Sequence, residues 1–316
     1  MMNSPDRPRS RGPDRDAASP DRLEALIARD LGERGITGMT AALRGELHAA
    51  ASALHACLRE PVGSSRVVAI ATGFTIPDSD PPAGETDGPL GAAAIARAIR
   101  ALGHRVLWLG DEHHAPHFEA LGEGEDLRLF APGAGVEELL AAAVEASALI
   151  AIERPGPGSD GVPRSMRGLD LRPWTAPLHL LFEQAGERLT IGIGDGGNEL
   201  GMGRLPADVL AARGPGACVT ATRHTIACGV SNWGGLALAA RLIELAGGPE
   251  REARLADILD ARRDEDRLRA LVAAGAVDGV LGRPAHSVDG LDWREHARLI
   301  DEMRALFQLS PTTDSR

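Results

Sequence analysis

An alternation limits the fold more than any other feature of this chain. Short apolar runs rich in β-branched residues recur, with helical patterns between them. "RVVAIATGF" (66–74), "HRVLWLGDE" (104–112), "DLRLFAP" (126–132), "SALIAIERPG" (147–156), "RLTIGIG" (188–194) and "ACVTAT" (217–222) read as strands. Most are apolar throughout rather than on alternate residues, which suits a parallel sheet buried on both faces. Helices are expected over Asp21–Asp30, Met39–Arg59, Pro89–Gly103, Val136–Ala146, Pro206–Arg213, Val230–Ala246, Ile258–Ala274 and the closing segment, with Asp195–Met202 as a further helix start. The pattern specifies an α/β fold: a mostly parallel sheet in Rossmann-like layers, with helices on both faces. Residues 1–20 are rich in Pro, Arg, Asp and Ser and are expected to be a disordered tail. Residues 21–62 read as a helical lead-in and 63–310 as the α/β domain.

Composition removes several chemistries. Lysine is absent, so there is no Schiff base to pyridoxal phosphate, no Walker A lysine and no lysine base. With a net charge of −11 and no basic patch, nucleic acid is not an expected partner. Cys57, Cys218 and Cys228 show no C-x-x-C spacing, so reduced thiols are expected rather than disulfides or a zinc site. No apolar run approaches the roughly 18 residues of a membrane span, and the N-terminus lacks a signal core, so the expected location is the cytoplasm.

In folds of this class, ligands bind beyond the carboxyl ends of the strands. Polar residues gather in the segments that follow the expected strands. They are Glu85, Thr86 and Asp87; Asp111 to His114; Glu153, Arg154, Asp160 and Arg167; Asp195, Asn198 and Glu199; and His224, Ser231 and Asn232. Each has a plain alternative. Asp87 and Asp195 could cap helices, Glu153 and Arg154 could pair with each other, Ser231 could be an N-cap, and "DEHHAPH" reads as a solvent-exposed loop.

Gly192, Gly194 and Gly197 match the G-x-G-x-x-G spacing of a dinucleotide loop. Asp195 and Glu199 oppose that reading, because they would put negative charge where a pyrophosphate should sit. NAD is therefore not expected. "GVSNWGG" lacks the spacing of a nucleophile elbow. Glu85, Asp87 and Asp195 are oxygen ligands suited to a divalent cation, Mg²⁺ or Mn²⁺. A cleft that mixes carboxylates with Arg154 and Arg167 suits a small amino acid, the acids holding its ammonium and arginine its carboxylate. Asp195, Glu199, Arg154 and Arg167 are the candidate catalytic groups. Thr86, Asp87, Asp160, Asn198, His224, Ser231 and Asn232 are the candidate substrate contacts.

Four blocks, "TGFTIP…ETDGPLGA", "IERPG…DGVPRSMRG", "GIGDGGNELGMG" and "GVSNWGG", occur in this order, with "DLGERGI" before them and "SVDG" after. Together they resemble the C-terminal domain of the D-glutamate cyclase family, from about Leu23 to Asp289. The resemblance implies a lyase that converts D-glutamate to 5-oxo-D-proline and water. Full-length members carry another, N-terminal domain. The expected partners are therefore a separate chain supplying that domain, or a second copy of this one. A metal-dependent amide or lactam hydrolase, and a non-catalytic metabolite-binding domain working with a partner chain, are the alternatives.

Overall fold

The computed structural model of the protein describes residues 21–59, 64–122 and 126–312; the tail expected over 1–20 lies outside them. Six strands form one sheet: β1 (Val67–Thr72), β2 (Arg105–Asp111), β3 (Leu127–Phe130), β4 (Ala146–Ile152), β5 (Leu189–Gly194) and β6 (His224–Ala227). Every neighbouring pair is parallel, and the spatial order is β3-β2-β1-β4-β5-β6. The order reverses between β1 and β4, so a crevice opens beyond their carboxyl ends.

Twelve helices accompany the sheet among the described residues. They are α1 (Arg22–Ile27), α2 (Thr37–Ala42), α3 (Glu46–Arg59), α4 (Pro89–Ala101), α5 (Ala115–Ala120), α6 (Val136–Ala142), α7 (His179–Glu183), α8 (Ala207–Ala211), α9 (Ser231–Ala246), α10 (Arg251–Ile258), α11 (Ala261–Ala273) and α12 (Trp293–Leu306). Successive residues of a strand point to opposite faces. Val68 and Ile70 join the core under α3, α4 and α9, while Val67, Ala69 and Ala71 join the core under α2, α6 and α7. No helix among the described residues is long and apolar enough to cross a membrane.

Three elements differ from the pattern. The helix expected over Met39–Arg59 is broken at Gly45, which sits at φ 87°. The break carries the chain from one face of the sheet to the other: Met39 and Leu43 belong to one core, Leu47 and Leu54 to the opposite one. Residues Asp195–Met202 form no helix. They turn back, and Glu199 bridges Pro155. "ACVTAT" is not a sheet strand, because its backbone is spent on that turn: the Cys218 N–H donates to the Gly197 carbonyl, and the Gly201 N–H donates to the Thr220 carbonyl. The sixth strand follows it, at His224–Ala227.

α4 and α9 cross at two glycines. A Cβ on Gly91 would lie 2.8 Å from the Asn232 Cα, and one on Gly235 would lie 2.6 Å from the Gly91 Cα. Backbone therefore meets backbone, close to the amino ends of both helices. Gly235→Ala is expected to destabilise the fold by about 1–3 kcal/mol through overpacking. Urea denaturation measures this; a loss below a few tenths of a kcal/mol would show that the crossing has slack.

Candidate active site

The crevice is built by the segments after β1, β4 and β5. After β1, the chain makes a short antiparallel ribbon, Thr75–Ile76 with Ala83–Gly84, and then delivers Glu85, Thr86 and Asp87 to the start of α4. The Asp87 carboxylate accepts from the backbone N–H groups of Ser231 and Asn232, both at 2.8 Å, and of Gly88 at 2.9 Å. It thus caps α9 from outside, where the helix end favours negative charge. Asn232 returns the contact: its Oδ1 accepts from the Gly91 N–H at 2.8 Å, and its Nδ2 donates to the Thr86 carbonyl at 3.1 Å. The Thr86 hydroxyl donates to the Ser287 carbonyl. Thr86 and Asn232 tie the site together and do not line the cavity.

After β4 comes Glu153, at φ 42°, which faces the crevice and accepts from the Ser231 hydroxyl at 2.5 Å. Arg154 turns away. Fully buried, it forks onto Asp111, with one hydrogen bond at 2.8 Å, and donates to the carbonyls of Gly73 and Ala176. The alternative pairing of Glu153 with Arg154 does not form, because adjacent residues leaving a strand point to opposite sides. "DEHHAPH" is not an exposed loop either. Asp111 holds Arg154, and His114 and His117 are buried with stacked rings. Burial, and then the neighbouring charges of His113, pushes both of these imidazoles down, His117 to about 4. Asp111, His113 and His114 could bring three ligand atoms together, but the Arg154 guanidinium already occupies the Asp111 carboxylate.

After β5 comes the glycine turn. Glu199 folds back, and its carboxylate accepts from the N–H groups of Asp195 at 3.3 Å, Gly196 at 2.6 Å and Gly197 at 2.7 Å. A Cβ on Gly194 or Gly196 would lie 2.7 Å from this carboxylate. The nest of amides that holds phosphate in a dinucleotide loop is filled here by the chain's own acid. Asn198 lines the cavity and donates from its amide to the Arg164 carbonyl.

The cavity measures about 250 Å³. Glu85, Glu153, Asp195, Glu199 and Asp289 line its polar side, and Phe74, Ile76, Met166 and Val280 its apolar side. Asp87, Glu153 and Asp195 each offer one oxygen, all within 4.8 Å of one another. Asp195 Oδ2 is buried without a hydrogen-bond partner. An all-oxygen donor set with an orphaned carboxylate oxygen fits a hard divalent cation. Burial and mutual repulsion push the carboxyls of Glu85, Glu153 and Asp195 well above the usual carboxylate range, and Asp87 to about 8. For Asp195 the Arg34 charge works in the opposite direction but does not cancel the rise.

Two arginines line the cavity. Arg34, on the loop between α1 and α2, contacts Asp195 and meets Asp289 at 2.6 Å. Arg167 stands at the rim, half exposed, paired with Asp78 at 2.6 Å and donating to the Val280 carbonyl at 3.1 Å. Asp160 is exposed and paired with Arg164, outside the cavity. His224 opens β6, and so lies at the amino edge of the sheet, where it pairs with Glu46 at 3.1 Å. Sequence reasoning placed it at a carboxyl end because the sixth strand was expected at 217–222, ahead of its place at His224–Ala227. Arg34 and Asp289 were not singled out, although both sit in the flanking blocks "DLGERGI" and "SVDG".

The fold and crevice define a doubly wound α/β protein with an acidic cavity at the point where its strand order reverses. The chain belongs to the D-glutamate cyclase family: residues 23–304 match the family described as "D-glutamate cyclase-like, C-terminal". It is 32% identical over 321 aligned residues to the mitochondrial D-glutamate cyclase of Homo sapiens, an alignment covering 89% of this chain and 50% of that protein. The chain therefore spans about half the length of this curated relative. Two crystal structures of RecJ, one from Thermus thermophilus in complex with Mn²⁺ and one bound to manganese, overlap 79% and 83% of the chain. The overlaps cover 31% and 65% of those chains, at TM-scores of 0.32 and 0.36 and 13% and 14% identity. At such scores they carry no argument about this site.

The raised carboxyls give a pH dependence of stability. Asp87 keeps its proton in the fold up to about pH 8, whereas the unfolded chain releases it near pH 3.8. The resulting stabilisation is complete below the lower value and is lost as pH rises through the upper one. The buried imidazoles lose stability only below their ordinary 6.5. Between about pH 6.5 and 8.5 the melting temperature of the free protein is expected to fall, and Mn²⁺ or Mg²⁺ to restore it. Glu153→Gln should flatten this slope. A melting temperature that does not change across this range would show the acids to be fully ionised in the fold.

Proposed function

We propose that the chain acts on a small amino acid in this crevice and cyclises D-glutamate to 5-oxo-D-proline and water. Family membership supports the reaction. The observation that carries the reading is the convergence of Asp87, Glu153 and Asp195 beside Arg34 in a cavity of amino-acid size.

In the reaction, the nitrogen attacks the γ-carboxyl carbon. The ammonium gives up two protons, and one γ-carboxylate oxygen takes both and leaves as water. An amine of this kind has a pKa of about 10 in water, so a base raised toward that value accepts its proton best. Glu85 suits this role. Its carboxyl is raised by burial, Asp289 and Asp87, and no hydrogen-bond donor reaches it among the described residues. Protonated Glu85 passes this proton to the departing oxygen and then relays the second one from the nitrogen, so that the oxygen leaves as water. Asp195 and Glu153 draw the ammonium into the cavity. Glu199 holds the glycine turn that presents Asp195. A divalent cation held by Asp87, Glu153 and Asp195 would offset the charge of the γ-carboxylate, which is otherwise a poor electrophile. Holding the extended substrate in a ring-forming geometry contributes the entropic part.

Turnover is followed as 5-oxo-D-proline formed from D-glutamate. Glu85→Gln and Asp195→Asn are each expected to lower kcat by about 10²-fold or more. Glu199→Gln should lower both kcat and the melting temperature, because it keeps one acceptor oxygen and sets an NH2 donor against the remaining backbone N–H of the turn. If the purified chain binds D-glutamate without converting it, the chemistry needs a further domain. If Glu85→Gln and Asp195→Asn both turn over normally, these acids are not the proton carriers.

A further inference from the structure

We infer that Arg34 is the residue that selects a carboxylate-bearing substrate, and that it binds the carboxylate which survives in the product. The inference rests on the amino-acid reading of the site given above.

It follows from a census of cations. Six of the acids named above line the cavity, Asp78 at its rim, with Asp87 beside them, so a ligand carboxylate needs a fixed positive charge to enter. Among the described residues, Arg34 and Arg167 are the cationic side chains that line the cavity. Arg167 is committed to Asp78 and the Val280 carbonyl at the solvent rim, with half of its surface exposed. Arg154, next to Glu153 in the chain, is sealed below the site by Asp111 and two carbonyls. Among the described residues, Arg34 alone presents its charge inside the cavity.

The loop that carries it is rigidly built. The Asp30 carboxylate accepts from the N–H groups of Arg34 and Gly35 at 2.7 Å and of Ile36 at 3.2 Å. Arg213 donates to the carbonyls of Arg34 and Gly196, at 3.2 and 2.7 Å, and so ties this loop to the glycine turn. Asp195 accepts a hydrogen bond from one terminal nitrogen, and Asp289 lies against the other as an ion pair. A guanidinium has five N–H donors in a rigid fork, so two acids do not exhaust it, and 20% of the side chain remains open. Burial works against the charge, but the surrounding carboxylates overcome it and keep Arg34 cationic. A ligand ammonium or a cation that engages Asp195 would draw this acid from Arg34 and release a second donor for the ligand carboxylate. Ammonium and carboxylate recognition are thereby coupled through Asp195.

Two ligands separate the carboxylate from the rest of the product. 5-Oxo-D-proline carries it, and 2-pyrrolidinone is the same ring without it. Calorimetric binding to the full chain is expected to favour 5-oxo-D-proline at least tenfold. Arg34→Met should bring the ratio close to one, and Arg34→Lys, which keeps the charge without the fork, should give an intermediate ratio. Should Arg34→Met not fold, Asp289→Asn provides the second variant: it leaves Arg34 in place with one acid fewer, and should strengthen 5-oxo-D-proline binding while leaving 2-pyrrolidinone unchanged. A ratio unchanged in Arg34→Met, or in Asp289→Asn if only that variant folds, overturns the inference. If the wild type binds neither D-glutamate nor 5-oxo-D-proline but binds D-norvaline or succinate in an Arg34-dependent way, the substrate reading fails while the role of Arg34 stands. If no carboxylate in this panel binds the wild type, the inference fails.

Discussion

Like charges in one crevice govern the rest of this structure. Glu85, Asp87, Glu153, Asp195, Glu199 and Asp289 converge where water is scarce, and a buried carboxylate without a partner is costly. The fold answers with three different devices. Glu199 is wrapped by the N–H groups of its own turn. Asp87 sits against the first N–H groups of α9. Asp195 and Asp289 share Arg34. What remains is borne by Glu85, Glu153 and the free oxygen of Asp195, whose carboxyls burial and mutual repulsion push well above the usual carboxylate range. The crevice is therefore poised for a positive ligand.

This arrangement also explains why the helical lead-in belongs to the body of the protein. α1 and α3 share the core under α4 and α9, and α2 joins the opposite core. Between them the chain crosses the mouth of the crevice and inserts Arg34. The lead-in completes the hydrophobic layers and supplies the only cation inside the cavity among the described residues.

Much of this was legible in the sequence, for physical reasons. Parallel strands buried on both faces leave unbroken apolar runs, so β1, β2, β4 and β5 could be seen directly, and so could the polar loops at their carboxyl ends. Glu85, Asp87, Asp195 and Glu199 were visible as acids in the wrong place for a phosphate. Arg154 and His224 show where that reading fails. Whether a residue at a strand end faces the crevice or its underside depends on one step of the strand's alternation. Which end of a strand a residue occupies depends on where the strand begins. For β6 both were obscured, since Thr220 and Ala221 have strand character but are used to cover the glycine turn. Arg34 was hidden for a different reason: its contacts with Asp195 and Asp289 span 161 and 255 residues of sequence, and no local pattern encodes them.

The crossing of α4 and α9 has a consequence for how this site can vary. Asp87 stands at the head of one helix and binds the head of the other, so the gap between the two axes is also the scale on which the acidic site is laid out. That gap is set by Gly91 and Gly235, two positions whose side chains are single hydrogen atoms. The spacing is already at its lower limit, and any larger residue can only widen it. A lineage could recolour the walls of this cavity freely, changing Phe74, Met166 or Val280 to admit other substrates. The separation of its acids would stay fixed, because it is measured out in backbone.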